Sequence, residues 1–279
     1  MTADDNYRLP VFSIPNKMKL KVLFLSALTI LIATTAMAQD LADEVDLFMG
    51  VHGNSNCVIG PQLPHGSVNP SPDTPKGGQK GYDENDKIRG FSQLHVSGIG
   101  WSRYGQILLS PQNGFSAKET GHDSPKANEI AKPYRYAVTL TRYGIRTELS
   151  PTHHGVFYRF TFNKPNNNNI LLDLRHNIPQ DIVPIVKGTF NGGEINYNEK
   201  QRLISGYGIY AGGFGSKQPY RVYFAMKIDD PNATVTITNN DTKALYAKIG
   251  VKAKTVNAII AISMSSVRNA TKYLEVELE

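Results

Sequence analysis

A succession of short apolar segments, separated by clusters of turn-forming residues, fills the sequence from Tyr134 onward. The first segment places apolar side chains at every second position, at Tyr134, Tyr136, Val138 and Leu140. A period of two is that of a strand with one buried face. Similar segments cover residues 144–149, 156–162, 170–174, 202–208, 220–228, 233–237 and 256–264. Because little helical periodicity lies between them, the sequence predicts an all-β fold, a large antiparallel β-sandwich over residues 39–265.

Both ends of this predicted sandwich carry a helical pattern. The apolar residues of 41–48 predict a short N-terminal helix. At the other end, Ser265 or Ser266 is suited to cap a helix over residues 266–279. The apolar positions of that helix, which recur at helical spacing, are Val267, Ala270, Leu274 and Leu278. We interpret the C-terminal helix as a linker toward a further domain.

The N-terminal residues have the features of an export signal. Residues 18–38 combine two lysines, an apolar run and an Ala-x-Ala site before Gln39. The alternative, a transmembrane helix, needs about 20 apolar residues, and the run is shorter. Residues 1–17 carry acidic residues ahead of the signal, so we interpret them as a mis-called start. The chain is therefore expected to be exported, to the periplasm, cell surface or exterior, without a membrane span after signal removal.

Charge and cysteine content exclude several classes of function. The formal net charge is +6, but residues 1–38 hold four of the basic residues and two of the acidic ones, and no basic run follows. A nucleic-acid partner is therefore not expected. A single cysteine, Cys57, forms no internal disulfide and no cysteine zinc site, and we expect it to be buried. His153 and His154, placed on a predicted strand, should point to opposite faces and not chelate one ion.

The polar stretch 71–105 is the richest in chemistry. It holds the only tryptophan, several carboxylates, arginines and a histidine among glycines that let a ligand approach the backbone. Aromatic rings beside carboxylates and arginine are typical of sugar-binding sites, where the ring covers the C–H face of a pyranose. The alternative is that Trp101 packs in the core and that Asp83 and Asp86 form Asx turns. Composition leaves both interpretations open.

Several motifs in this part of the chain resemble the N-terminal β-sandwich of glycoside hydrolase family 92. The motifs are the runs 60–74, 81–82, 88–100, 104–111, 136–140, 143–149, 170–174 and 261–263. The resemblance covers essentially all of 45–279. It implies secreted, calcium-dependent, inverting exo-α-mannosidases acting on α-mannoside glycans. It also implies that the catalytic acid, the base and most calcium ligands lie in a C-terminal (α/α)6 barrel, which is absent from this chain.

Two positions depart from the family pattern and put substrate contacts in doubt. Gln93 stands where the family usually has a histidine, and Gln106 where it usually has an aspartate. No catalytic residue and no metal ligand is assigned to this chain. The remaining candidates for sugar contact are Trp101, His95, Asp83, Tyr82 and Asp73.

Three functions follow from the resemblance. In the leading hypothesis, the chain is the carbohydrate-contacting module of an α-mannosidase-like glycosidase and is inactive without the barrel. The second is a stand-alone carbohydrate-binding module. The third is a structural remnant without activity, which exposes the surface that would face the barrel.

Overall fold

Strands dominate the part of the chain that the structure describes. The structure is a computed structural model and describes residues 41–52, 55–96, 104–178, 188–212, 218–240 and 244–279. The predicted start, signal peptide and Trp101 lie outside the described residues. In order the strands are β1 (Ser71–Asp73), β2 (Gly90–Ser92), β3 (Leu108–Asn113), β4 (Lys126–Lys132), β5 (Arg135–Leu140), β6 (Ile145–Pro151), β7 (Gly155–Phe162), β8 (Asn168–Asp173), β9 (Thr189–Asn198), β10 (Leu203–Ala211), β11 (Tyr220–Ile228), β12 (Thr234–Asn240), β13 (Ala244–Val251) and β14 (Thr255–Ser263).

These strands form two antiparallel sheets. The six-stranded sheet has the order β1-β2-β3-β8-β13-β12, and the eight-stranded sheet has the order β4-β5-β6-β7-β14-β11-β10-β9. The rings of Phe91 on one sheet and Tyr136 and Tyr158 on the other are in contact, with centroids 6.3 and 6.5 Å from Phe91. The two sheets therefore pack face to face, and the predicted antiparallel β-sandwich is confirmed.

Alternating burial along the strands builds the core between the sheets. On β13 the buried residues are Leu245, Ala247, Ile249 and Val251, while the residues between them are partly exposed. The end of β14 differs, because Ala261 as well as its neighbours Ile260 and Ile262 is buried. Such a strand is covered on both faces.

Helix α1 (Val267–Glu277) provides the second cover for β14. Its residues Ala270 and Leu274 are fully buried and pack with Leu203, Ala225 and Ala261 on the outer face of the eight-stranded sheet. Burying a leucine side chain contributes about 1.5–3 kcal/mol. The predicted C-terminal helix is present, and its apolar stripe holds it on the sandwich.

Of the two serines predicted as possible caps, Ser266 is the one that caps α1. Its side chain accepts a hydrogen bond of 3.1 Å from the backbone N–H of Asn269. We expect Ser266→Ala to lower the free energy of unfolding by about 1 kcal/mol, because that N–H loses its acceptor. Urea denaturation measures the loss. Ser266→Asp, which keeps an acceptor and places a negative charge at the helix N-terminus, should cost almost nothing; an equal loss in both variants would contradict the cap.

The predicted N-terminal helix is present as two short pieces. Residues 41–43 are helical, and a 3-10 helix covers Leu47–Gly50. Asp46 begins the second piece, since its side chain accepts a 2.9 Å hydrogen bond from the N–H of Phe48. No helix in the described residues is long and apolar enough to cross a bilayer.

Two sequence predictions about local placement are wrong. Cys57 is exposed rather than buried. It follows the Leu47–Gly50 helix, and its N–H donates a 3.0 Å hydrogen bond to Gly50 O, which holds it in a surface segment. His153 and His154 lie in the turn between β6 and β7 rather than on a strand. The ring of His154 stacks on Tyr273 of α1, with centroids 3.8 Å apart.

Candidate functional site

A fully buried carboxylate joins two histidines that are far apart in the sequence. Asp73, at the end of β1, contacts His95 Nε2 through Oδ1 at 2.8 Å and His176 Nε2 through Oδ2 at 3.0 Å. His176 lies just after β8, 103 residues along the chain from Asp73. All three side chains have at most 2% of their surface exposed. Both carboxylate oxygens of Asp73 are thus occupied by imidazoles.

His95 is fixed by its second ring nitrogen as well. Its Nδ1 donates to Asn69 O at 2.8 Å, and Asn69 Nδ2 donates to His95 O at 2.9 Å. Because the partners of both ring nitrogens are oxygen acceptors, both nitrogens donate. The segment that leads toward residues 97–103 is therefore anchored to Asn69 and Asp73.

A chain of charges extends from His176 toward the surface. His176 Nδ1 lies 3.5 Å from Glu119 Oε1, and Arg89 Nη1 lies 3.0 Å from the same oxygen. Arg89 also donates two hydrogen bonds to Asp123, from Nε to Oδ1 at 2.9 Å and from Nη2 to Oδ2 at 3.2 Å. Arg89 and His176 are buried, whereas the Glu119 side chain is 54% exposed. The two-point contact between Arg89 and Asp123 belongs to the strong class of hydrogen bonds.

The pKa values in this cluster favour charged groups. Burial alone would raise the pKa of Asp73, but the charge of His95 and hydrogen bonds from both imidazoles hold it well below its usual range. Burial would lower the pKa of His176, yet hydrogen bonds to Asp73 and Glu119 raise it to about 9. The neighbouring His176 and Arg89 lower the pKa of Glu119 to about 2. Each group is charged near neutral pH.

Gly81 makes room for the cluster. It adopts a φ of +81°, and a Cβ placed there would lie 2.8 Å from Asp73 Oδ1 and 3.2 Å from His95 Nε2. Only glycine combines this backbone conformation with the close approach. Thr74 N–H donates to Gly81 O at 2.8 Å, which ties the loop back to β1.

Tyr82 points into a second buried cluster. Its ring is fully buried, and its hydroxyl donates to both oxygens of Glu129 at 2.9 Å. Lys126 Nζ donates to the same hydroxyl at 2.6 Å, and Tyr136 also donates to Glu129. Burial and the Glu129 charge raise the pKa of Tyr82, and burial lowers that of Lys126. The Tyr82 hydroxyl thus forms its hydrogen bonds with Glu129 and Lys126 inside the protein.

Asp83 forms the Asx turn that the sequence left open. Its Oδ1 accepts a 2.8 Å hydrogen bond from the N–H of Asn85, two residues on. Asp86 behaves similarly, with Oδ1 accepting from Lys87 N and Oδ2 from Lys76 N, at 2.8 and 2.7 Å. These carboxylates shape the 74–88 loop.

The two glutamines that depart from the family pattern lie inside the sandwich. Gln93 Nε2 donates to the carbonyls of Phe91 and Ile107, and its Oε1 accepts from the Tyr158 hydroxyl at 3.1 Å. Gln106 Nε2 donates to Asn177 Oδ1 and to the Tyr220 hydroxyl, at 3.3 and 3.1 Å. Both side chains connect elements of the fold.

The described residues do not form a calcium site by themselves, and the resemblance assigns most of the calcium ligands to the barrel. They contain no group of three or more histidine, cysteine or acidic side chains placed to hold a metal ion. A calcium ion needs six to eight oxygen ligands. Asp73 cannot contribute, because the imidazoles occupy both its oxygens.

The structure thus brings Asp73 and His95 together, places Tyr82 and Asp83 elsewhere, and adds residues that the sequence reasoning missed. The added residues are His176, Glu119, Arg89 and Asp123. The predicted strand 170–174 ends two residues before His176. Polar residues that directly follow a buried strand could have marked His176 as a candidate site residue. The cluster can position loops. As the buried Asp73 accepts from two imidazoles, it is not free to act as a general base.

Comparison with known proteins identifies relatives of the whole sandwich. The model of the glycosyl hydrolase family 92 N-terminal domain matches residues 44–269. The chain is similar to the family GH92 α-mannosidase BT3965 from Bacteroides thetaiotaomicron, solved with mannoimidazole, at 26% identity and a TM-score of 0.71, over 85% of this chain and 34% of that one. The inverting mannosidase BT2199 from Bacteroides thetaiotaomicron VPI-5482 shares 23% identity, a TM-score of 0.67, and 85% and 33% coverage. No curated protein matches significantly.

Proposed function

This chain belongs to the glycosyl hydrolase family 92 N-terminal domains, and on that premise we propose that it supplies part of the sugar pocket of an exported α-mannosidase. The observation that carries the proposal is the family match over residues 44–269. The chain spans about a third of the length of the solved structures it resembles. The proposed role is therefore that of the β-sandwich alone.

In this proposal the chemistry is divided between two domains. An inverting glycosidase needs two carboxyl groups on opposite sides of the scissile bond, one as acid and one to activate water. The resemblance assigns both, and most calcium ligands, to a C-terminal (α/α)6 barrel. The sandwich would then contribute substrate contacts from the segment after His95, which includes Trp101. The anchoring of His95 by Asp73 and Asn69 supports this role, because a sugar-contacting segment needs a rigid base.

Export and calcium dependence belong to the same proposal. The 18–38 signal would deliver the protein to the periplasm, the cell surface or the exterior, where α-mannoside glycans are available as substrate. Calcium would bind at the barrel side of the pocket. The C-terminal helix would lead from the sandwich to that barrel, and its packing through Leu274 would set the angle of exit.

A domain exchange tests the proposal. The matching N-terminal domain of the BT3965 mannosidase is replaced by residues 44–279 of this chain, and hydrolysis of an aryl α-mannoside is measured with calcium. We expect turnover by the chimera and none by this chain alone. Trp101→Ala in the chimera should lower kcat/KM by about tenfold, since ring stacking on the sugar contributes about 1 kcal/mol or more.

The control is Asn163→Ala, at an exposed turn position, which should leave kcat/KM unchanged. Turnover by this chain alone, after removal of contaminating host mannosidases, would show that the chemistry is not confined to the barrel. A folded chimera without turnover would instead favour a stand-alone carbohydrate-binding module if mannosides still bind, and a structural remnant if they do not.

A further inference from the structure

A polar cleft lies on the outer face of the six-stranded sheet, away from the cluster around Asp73. It has a volume of about 410 Å³, and its lining includes four consecutive asparagines, 166–169, together with Asn232, Thr234 and Lys252. We call it the asparagine cleft. The volume falls within the range of small-molecule sites, about 300–1,000 Å³.

The floor of the asparagine cleft is a row of residues across three adjacent strands. Asn169 on β8 pairs with Gly250 on β13, and Gly250 pairs with Thr234 on β12. A Cβ at Gly250 would lie 2.7 Å from Thr234 Oγ1 and 3.7 Å from Asn169 Oδ1. The Thr234 hydroxyl therefore lies close over Gly250, and a side chain at position 250 would have to displace it.

Internal hydrogen bonds hold the walls in place. Asp230, which is 2% exposed, accepts from the N–H groups of Asn232, Lys252 and Ala253 at 2.9, 2.6 and 3.0 Å. This carboxylate joins the turn before β12 to the turn after β13. On the opposite wall, Asn169 Nδ2 donates to Gly114 O and Asn167 O, at 2.9 and 2.8 Å. These hydrogen bonds within the protein preorganise the walls of the cleft.

Other polar groups of the cleft are left for a ligand. Within the described residues, the side chains of Asn166, Asn232 and Thr234 form no hydrogen bond to protein. Asn166 adopts a φ of +64°, which asparagine tolerates in turns, and it lines the cleft. An amide offers a donor and an acceptor side by side, which matches the neighbouring hydroxyls of a sugar.

We propose that the asparagine cleft binds a neutral, hydroxyl-rich saccharide at a site separate from the proposed mannosidase pocket. The polar lining consists of amides, one hydroxyl and one lysine, so recognition at this site would rest on hydrogen bonds to hydroxyl groups rather than on ring stacking. Asn168 and Asn169 begin β8, whereas Asp173 ends it and His176 follows. At about 3.3 Å per residue, Asn168 and Asp173 lie roughly 16 Å apart along this strand. A second glycan contact would raise the local concentration of substrate chains.

Chemical-shift titration of the full chain tests this second site, independently of any turnover. The probes are mannotriose, cellotriose and inorganic phosphate. We expect a neutral trisaccharide to shift the backbone amides of 166–169 and 250–252. Gly250→Val should abolish these shifts, because the new side chain fills the floor and displaces the Thr234 hydroxyl. Asn166→Gly with Asn232→Ala should weaken binding about tenfold or more.

Two controls separate this site from the mannosidase pocket. Asn163→Ala, in the same turn but outside the lining, should bind as the parent does, and so should Trp101→Ala. Loss of the shifts in Trp101→Ala would assign the binding to the proposed pocket and overturn the second site. Shifts caused by phosphate alone, an unchanged affinity in both cleft variants, or no shift with either trisaccharide would also overturn it.

Discussion

Asp73→Asn is expected to lower the free energy of unfolding by about 3–5 kcal/mol, the cost of leaving a buried charge without its partner. Asp73 is fully buried, and its two oxygens contact His95 and His176 at 2.8 and 3.0 Å. The asparagine has the same shape but no charge, and its amide nitrogen would face one of the imidazole N–H groups. Urea denaturation at pH 6.5 to 7 measures the loss, which is a large share of the about 5–15 kcal/mol that stabilises a typical domain.

Asp83→Asn is the matched control. Asp83 is only partly buried, and its side chain closes an Asx turn that asparagine forms equally well. We expect this change to stay within about 0.5 kcal/mol of the parent. Equal stability of the Asp73 and Asp83 variants would mean that the carboxylate between the two imidazoles is not an ion-pair partner.

Stability should also fall as the pH rises above neutrality, because His176 holds its proton more tightly in the folded chain. Its pKa is raised from 6.5 to about 9. The resulting stabilisation is fully present below pH 6.5 and is lost as the pH rises through about 9. The difference amounts to about 3 kcal/mol over that interval. On the acid side, the contribution of Asp73 is lost only as the pH falls below 3.8 toward its lowered pKa.

Denaturation curves between pH 6 and 10 give the slope, and His176→Gln serves as the reference. Glutamine does not titrate, so the variant should start less stable and then show a much flatter dependence over this interval. If the parent and the variant lose stability in parallel, other groups carry the dependence and the raised pKa of His176 does not.

The fold could be predicted where one face of a strand is buried against the other sheet. The segments around 136–140 and 156–162 were predictable because their inward residues meet the core, and the continuous apolar run in 256–264 because β14 is covered on both faces; all three are strands. The edge strand β9 was not predicted, since most of its ten residues are at least partly exposed and no face requires apolar side chains. Strand β13 was also missed, although its inward residues from Leu245 to Val251 alternate clearly.

Only those residues of the candidate site that lie close together in the sequence could be predicted. Asp73 and His95 were singled out because both lie in one polar stretch, as candidates for sugar contact, but their contact with each other was not predicted. Their partner His176 comes from the far end of β8, and nothing in the local pattern of residues 174–177 reveals which loop it will meet. For Tyr82, composition could not distinguish a sugar platform from a core ring, because both need an aromatic face; its hydroxyl contacts Glu129, 47 residues along the chain.

The position of β14 determines when the eight-stranded sheet can be completed. This strand lies between β7 and β11, and it alone joins the run β4–β7 to the run β9–β11. Hairpins within each run are local in sequence, but Ala261 pairs with Gly155, more than a hundred residues earlier. Long-range pairings of this kind slow folding, because a large loop must close before they form. Until β14 pairs with both β7 and β11, the runs β4–β7 and β9–β11 are therefore not joined within the eight-stranded sheet.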